Sequence, residues 1–332
     1  MFENNNLKLE DLFKGKKKIT VVGPFPPPLG GVSVFLERFC NLYSVSRRID
    51  FKGGGIVSYI SLFASLYKDR DCLCFLNVKN NLIFAIVVFL SRFTKAEFVF
   101  MDHNEQTFQG GVINIAMTKS FLRSVKYVVV VGRHMINNYA EHAPFLAGKI
   151  WVENAFLPPN LSERSAVLDS YPPEYFRFIA SKNVIINTSA FKVKFENGVD
   201  LYGIDMSLKA LKYLKDSGIN SVGALIFIAD IDSGLKYVSK MVRALELSGD
   251  VLIISGQREL WPSYLDSDVS IRATSRDGYG VTVAESISLG CAAIASDVCA
   301  RAEGAIIFRN RDQQDLNAKV LSVISEHKFK RN

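Results

Sequence analysis

Residues 271–290 read Ile271-Arg272-Ala273-Thr274-Ser275-Arg276-Asp277-Gly278-Tyr279-Gly280-Val281-Thr282-Val283-Ala284-Glu285-Ser286-Ile287-Ser288-Leu289-Gly290. The pattern is a strand, a polar loop and a helix. Gly278 and Gly280, on either side of Tyr279, let the backbone approach a ligand closely. The helix predicted from about Val281 aims unpaired N–H groups and the positive end of its dipole at the same space, which suits a diphosphate. Asp277 precedes the helix and Glu285 lies inside it, so two carboxylates reach separate hydroxyl-bearing parts of one extended ligand. The plainer alternative makes the glycines a tight turn, Asp277 a cap and Glu285 a surface charge.

Short apolar runs alternate with helical spacing on both sides of this stretch, which is how a parallel sheet covered by helices is written. Strands are predicted at 19–22, 72–76, 97–101, 127–131 and 150–152, and again at 184–187, 224–228, 251–254, 269–271, 292–295 and 305–308. Helices are predicted at 32–42 and 82–93, and from about Asp205, which reads as a cap, to Gly218. Pro158 and Pro159 stop regular structure and divide the chain into residues 1–157 and 158–332. The fold class is therefore α/β, with two Rossmann-like doubly wound domains. The uncharged apolar run 82–90 falls short of the roughly 18–20 residues that span a bilayer and reads as a buried helix.

A second glycine loop follows the first strand, Gly23-Pro24-Phe25-Pro26-Pro27-Pro28-Leu29-Gly30-Gly31-Val32-Ser33. Gly30 and Gly31 stand at a helix N-terminus, where an anion is again favoured. His103, in Phe100-Met101-Asp102-His103-Asn104-Glu105, follows another strand, at the edge where ligands gather in open α/β sheets. Its other reading is a structural hydrogen-bond partner.

Asp277 and Glu285, eight positions apart around a glycine pair, resemble the signature of the retaining nucleotide-sugar glycosyltransferases of the GT-B fold, family 4 (group 1). The resemblance implies two domains facing across a cleft, acceptor-side in residues 1–157 and donor-binding in 158–332, with a last helix that in relatives crosses back. It implies that Glu285 holds ribose hydroxyls, that Asp277 faces the donor sugar, and that the backbone of Gly278, Tyr279 and Gly280 meets the pyrophosphate. Gly30 and Gly31 would reach toward the same phosphates, and His103 toward the transferred sugar or acceptor. Aspartate in the first acidic position departs from the family pattern. So does the segment after the 184–187 strand, where relatives carry an Arg and a Lys five apart. Here Lys192 and Lys194 stand in that segment, with Arg272 and Arg276 as reserve cations, and a departing diphosphate needs such charge.

Five cysteines without C-x-x-C spacing and four scattered histidines indicate reduced thiols and no structural metal. The resemblance likewise implies no cofactor beyond the nucleotide-sugar substrate. The N-terminus lacks the pattern of an export signal, so the expected location is cytoplasmic. The net charge of +7 is partly concentrated at 14–18 and 328–331. These runs read as solvated tails or as a surface for anionic lipid, each cation adding about 1 kcal/mol near a membrane. Basic clusters without interleaved aromatics argue against nucleic acid. The expected function is retaining transfer of a sugar to a hydroxyl of a glycan or lipid-linked acceptor in cell-surface polysaccharide or glycolipid assembly. The alternatives are a donor-binding or partner subunit without catalysis, and an epimerase or hydrolase on the same fold.

Overall fold

The computed structural model describes residues 2–4, 8–15, 18–103, 107–230 and 234–328, with His327 and Lys328 described by backbone alone. Lys16, Lys17, Lys330 and Arg331 of the two basic runs, and Asn104 and Glu105 beside His103, lie outside the described residues. The chain divides into two compact units, Met1–Leu157 and Pro158–Asn332.

The first unit runs α1 (Leu9–Phe13), β1 (Ile19–Gly23), α2 (Gly31–Leu42), β2 (Arg47–Asp50), α3 (Ile56–Lys68), β3 (Leu73–Leu76), α4 (Asn81–Phe93), β4 (Glu97–Asp102), α5 (Val112–Ser124), β5 (Tyr127–Val130), α6 (His134–His142) and β6 (Ile150–Val152). Its strands form one parallel sheet in the order β2-β1-β3-β4-β5-β6. β1 and β3 are buried along their whole length, as strands covered on both faces must be. The chain order reverses between β1 and β3, and this switch opens a crevice at the C-terminal ends of the strands. Behind it the stacked rings of Phe84 and Phe121, 4.1 Å apart, meet Phe100 edge-on and join α4 and α5 to β4.

The second unit runs α7 (Arg164–Leu168), α8 (Pro173–Ala180), β7 (Val184–Ala190), the hairpin β8 (Phe195–Glu196) and β9 (Val199–Asp200), α9 (Ile204–Asp216), β10 (Val222–Ile228), α10 (Leu235–Ala244), β11 (Val251–Ser255), α11 (Trp261–Leu265), β12 (Val269–Arg272), α12 (Val281–Ser288), β13 (Ala292–Ser296), β14 (Ile306–Phe308) and α13 (Gln313–Lys328). The parallel order β11-β10-β7-β12-β13-β14 places the reversal between β7 and β12. Side chains alternate across the sheet. Ala224, Ile226 and Ile228 of β10 join Leu208, Leu211 and Val320 in one core. Leu225 and Phe227 join Tyr171, Tyr175 and Ile254 in the other. α13 packs on α9 and on β12, β13 and β14 of its own unit.

Both units are doubly wound, as expected from the sequence. Two local expectations need correction. Asp205 does not cap α9. The cap position belongs to Gly203, in the left-handed region at φ 69°, where an added Cβ would strike the Ala273 carbonyl. Asp205 lies inside the helix, accepting Nη1 and Nη2 of Arg311 at 3.0 and 2.7 Å. The run 82–90 does form a helix, but α4 is not buried all round. It buries Ile83, Phe84, Val87 and Leu90 and leaves Leu82, Phe89 and Phe93 exposed.

Among the described residues no helix is long and apolar enough to cross a membrane. Phe121→Ala should lower the unfolding free energy of the first unit by about 3–5 kcal/mol, because the fully buried ring leaves a cavity between α4 and β4. Urea unfolding followed by circular dichroism measures this, and a change near zero would contradict the packing described.

Candidate active site

Each unit gathers its polar side chains at its own switch point. In the second unit, β12 ends at Arg272 and the chain passes through Asp277 and Gly278 before α12 begins. Gly280 stands at the helix cap with φ 74°, a backbone shape that L side chains rarely adopt, and no side chain caps the first turn. The first N–H groups of α12 therefore have no side-chain acceptor.

Asp277 is the centre of the loop. Its Oδ1 accepts Arg272 Nη2 at 3.2 Å and the Gly278 N–H at 3.1 Å. Oδ2 accepts Arg272 Nε at 3.0 Å and Arg301 Nη1 at 2.7 Å. These four bonds fill the roughly four lone-pair positions of a carboxylate. Burial alone would raise the Asp277 pKa, but Arg272 and then Arg301 outweigh it and hold the carboxyl below its usual range. For Arg272 the order repeats with the opposite sign, since burial lowers its pKa and Asp277 more than restores it. Two guanidinium groups and one carboxylate leave the cluster with one net positive charge.

Arg301 has no place in the sequence reading above, and it is the residue that locks the site. Its side chain is 2% exposed. Besides Asp277 it donates from Nε to the Ser296 carbonyl at 3.0 Å and from Nη2 to Ser296 Oγ at 3.2 Å. Ser296 Oγ donates in turn to the Thr274 carbonyl at 2.6 Å, and Thr274 Oγ1 donates to the Leu201 carbonyl at 2.7 Å. The loop after β12 is thus tied to the end of β13 and to the turn before α9. The contact that resemblance assigns to Asp277, with donor-sugar hydroxyls, meets a carboxylate already saturated by its own protein.

Glu285 lies on α12, buried to 7% exposure, where α12 packs on α11 and β13. After burial itself, its charge is the largest influence raising the hydroxyl pKa of Tyr264 on α11. Of the cations expected after β7, Lys194 is paired with Glu196 at 2.7 Å and Arg276 binds the same carboxylate at 2.9 Å. Lys192 is exposed and has no ion pair with a described residue. Tyr279 is half-buried, and burial raises its hydroxyl pKa.

In the first unit, Gly30 and Gly31 are exposed at the start of α2. Ser33 Oγ accepts the Gly30 N–H at 2.8 Å and donates to the Pro28 carbonyl at 2.7 Å, fixing the glycine turn. His103 follows β4 and Asn77 follows β3, and Nε2 of His103 donates to Asn77 Oδ1 at 2.8 Å. That bond leaves Nδ1 as the acceptor of a neutral ring. Burial pulls the His103 pKa down to about 4. Asn77 Nδ2 is buried without a partner among the described residues. Next to it, Lys79 donates to Thr107 Oγ1 at 3.1 Å, and Asp102 accepts Thr107 Oγ1 and the Tyr139 hydroxyl. Burial lowers the Lys79 pKa and Asp102 partly restores it. Asn77 and Lys79 were not singled out from the sequence. Their signal was position, since both follow the strand at the switch point.

Comparison with known proteins agrees with this architecture. Residues 180–332 match the family model described as glycosyl transferases group 1. The second unit is thus similar to the group 1 glycosyl transferases, the family that the Asp277 to Glu285 segment resembles. A glycosyltransferase from Rickettsia africae superposes with a TM-score of 0.67 at 15% identity, over 93% of this chain and 89% of that one. Anabaena HepE in complex with UDP gives 0.66 at 12% identity, over 93% and 90%. A UDP-forming α,α-trehalose-phosphate synthase from Burkholderia xenovorans gives 0.63 at 11% identity, over 93% and 91%. The fold is GT-B. No curated protein matches the chain by sequence.

Arg301→Ala should cost the second unit about 1.5–3 kcal/mol in urea unfolding, because it removes a charge-assisted bond from Asp277 and the donors to Ser296, while Arg272 still pairs the carboxylate. Arg301→Lys should recover only part, since an ammonium cannot span Asp277 and Ser296 as the planar fork does. Equal stability of all three proteins would contradict the lock. For His103, a lowered pKa means that the stability of the neutral ring is intact above about 6.5 and lost as pH falls through about 4. Imidazole NMR should show a midpoint near 4, and a midpoint above 6 would contradict the burial.

Proposed function

We propose that this protein is a retaining glycosyltransferase that moves a sugar from a nucleotide-sugar donor to a hydroxyl of a glycan or lipid-linked acceptor. The observation that carries this reading is the uncapped start of α12 beside a cluster of one net positive charge, within a domain that matches the group 1 glycosyl transferases. The donor diphosphate lies against the first N–H groups of α12 and the backbone of Gly278, Tyr279 and Gly280, where dipole and cluster both favour negative charge. Glu285 holds the ribose hydroxyls. Arg272, on the less buried side of Asp277, and Lys192 stabilise the charge that grows on the leaving diphosphate.

Asp277 then acts as a positioning residue, holding two guanidinium groups beside the glycines. This also supports transfer without a protein nucleophile, because the carboxylate nearest the phosphate site has no free lone pair. The bond from the anomeric carbon to the diphosphate oxygen breaks, the acceptor oxygen bonds to that carbon on the same face, and the acceptor proton passes to the departing phosphate. No metal or cofactor enters this scheme. On the acceptor side, neutral His103 offers Nδ1 to a hydroxyl and the glycine turn offers the Gly31 N–H, the Gly30 N–H being held by Ser33. The expected setting is cytoplasmic assembly of a cell-surface polysaccharide or glycolipid.

UDP sugars are the first donors to test, since solved structures of the same fold hold UDP and UDP-glucose. By calorimetry the protein should bind UDP, and Glu285→Gln should weaken binding at least about tenfold, the loss of a charge-assisted bond. Failure to bind any nucleoside diphosphate would refute the proposal. Product should form only with an acceptor present. Donor consumption without acceptor would point to a hydrolase or epimerase, and binding without turnover to a partner subunit, the reading favoured by the missing Arg/Lys pair.

A further inference from the structure

A helix on the surface of a soluble domain turns its apolar stripe inward and charged side chains outward. α3 and α4 break this rule. On α3, Ile56, Val57 and Ile60 are 75%, 74% and 61% exposed, and on α4, Leu82, Phe89 and Phe93 are 56%, 47% and 65% exposed. The rings of Phe63 and Phe89 lie 5.8 Å apart across the two helices, and Phe89 and Phe93 are 4.6 Å apart along α4, so the aromatic part of the patch bridges both helices. The chain moves in one direction through β2, β3, β4 and β5, so right-handed crossovers put α3, α4 and α5 on one face of the sheet. α4 packs against both neighbours.

The charge of this face is one-sided. The three helices carry Lys68, Arg92, Lys119 and Arg123 and no aspartate or glutamate. None of these four cations forms an ion pair with a described carboxylate. A second copy of the chain is a poor occupant. A two-fold contact would set this face against itself, apolar on apolar but with the helices' cations opposite cations and no carboxylate on those helices to pair them. An apolar patch bordered by unpaired cations complements a surface that is apolar beneath an anionic layer.

We propose that the α3–α4 face docks on a bilayer containing anionic lipid, with the exposed aliphatic and aromatic side chains in the headgroup boundary and Lys68 and Arg92 against phosphates. The cations of this surface are other residues than those of the basic chain ends. The proposal does not rest on the donor reading, because membrane binding is measured without turnover.

The test is sedimentation of the full chain with phosphatidylcholine vesicles, with and without phosphatidylglycerol. Binding should require phosphatidylglycerol and weaken as salt is raised. Arg92→Ala should reduce the vesicle partition coefficient about fivefold, and the pair Ile56→Asp with Ile60→Asp should abolish binding. An unchanged melting temperature establishes that each variant is folded, and Phe93→Ser serves where the double variant is not. Failure of the wild-type protein to bind anionic vesicles would overturn the proposal, as would equal binding by the variants. A wild-type dimer that these substitutions dissociate would assign the face to a second copy and overturn it equally.

Discussion

One carboxylate shared by two guanidinium groups holds the second unit's switch point together. Without Asp277, Arg272 and Arg301 would be like charges in a largely buried loop, where repulsion is screened far less than at the surface. With it, Arg301 is fixed firmly enough to bind Ser296 as well, and the bonds pass through Thr274 to Leu201 in the turn before α9. The strand ends and the opening of α12 keep their relative positions because this chain of bonds leaves them little freedom. The proposed binding of a flexible diphosphate would gain from such rigidity, since the protein is ordered before the ligand arrives.

The two units solve the same geometric problem with different charges. At the reversal between β7 and β12 the second unit places a surplus cation and an uncapped helix. At the reversal between β1 and β3 the first unit places polar groups that are neutral or satisfied. His103 is kept uncharged by burial, and Lys79 is drawn into the network of Thr107 and Asp102. An anion is stabilised in the first setting, while a neutral hydroxyl suits the second.

Much of the sheet was legible because strands buried on both faces are written as nearly unbroken apolar runs, as at Val184 to Asn187 and Ala224 to Ile228. β2 escaped because Arg47-Arg48-Ile49-Asp50 is an edge strand whose exposure alternates. Asp205 was misread as a cap because aspartate favours that position, whereas the bend is made by Gly203 two residues earlier and the carboxylate serves Arg311, more than a hundred residues on. Contacts of that kind have no local signature. Arg301 meets Asp277 only because β12 and β13 are neighbours in the sheet. The run at 82–90 announced that α4 is apolar, but composition does not say which side of a helix other elements will cover. The glycine spacing and the acidic pair were legible, and the saturation of Asp277 was not.

Gly280 has a consequence for how this site changes over generations. A side chain there would place its first carbon on the Arg301 guanidinium and against Asp277, besides straining a left-handed backbone. No one of these positions is free to vary alone. Enlarging the glycine displaces the arginine, losing the arginine exposes the aspartate, and losing the aspartate sets two cations against each other. The three are physically interdependent, so a variant that departs from one of them is expected to be destabilised unless the others change with it.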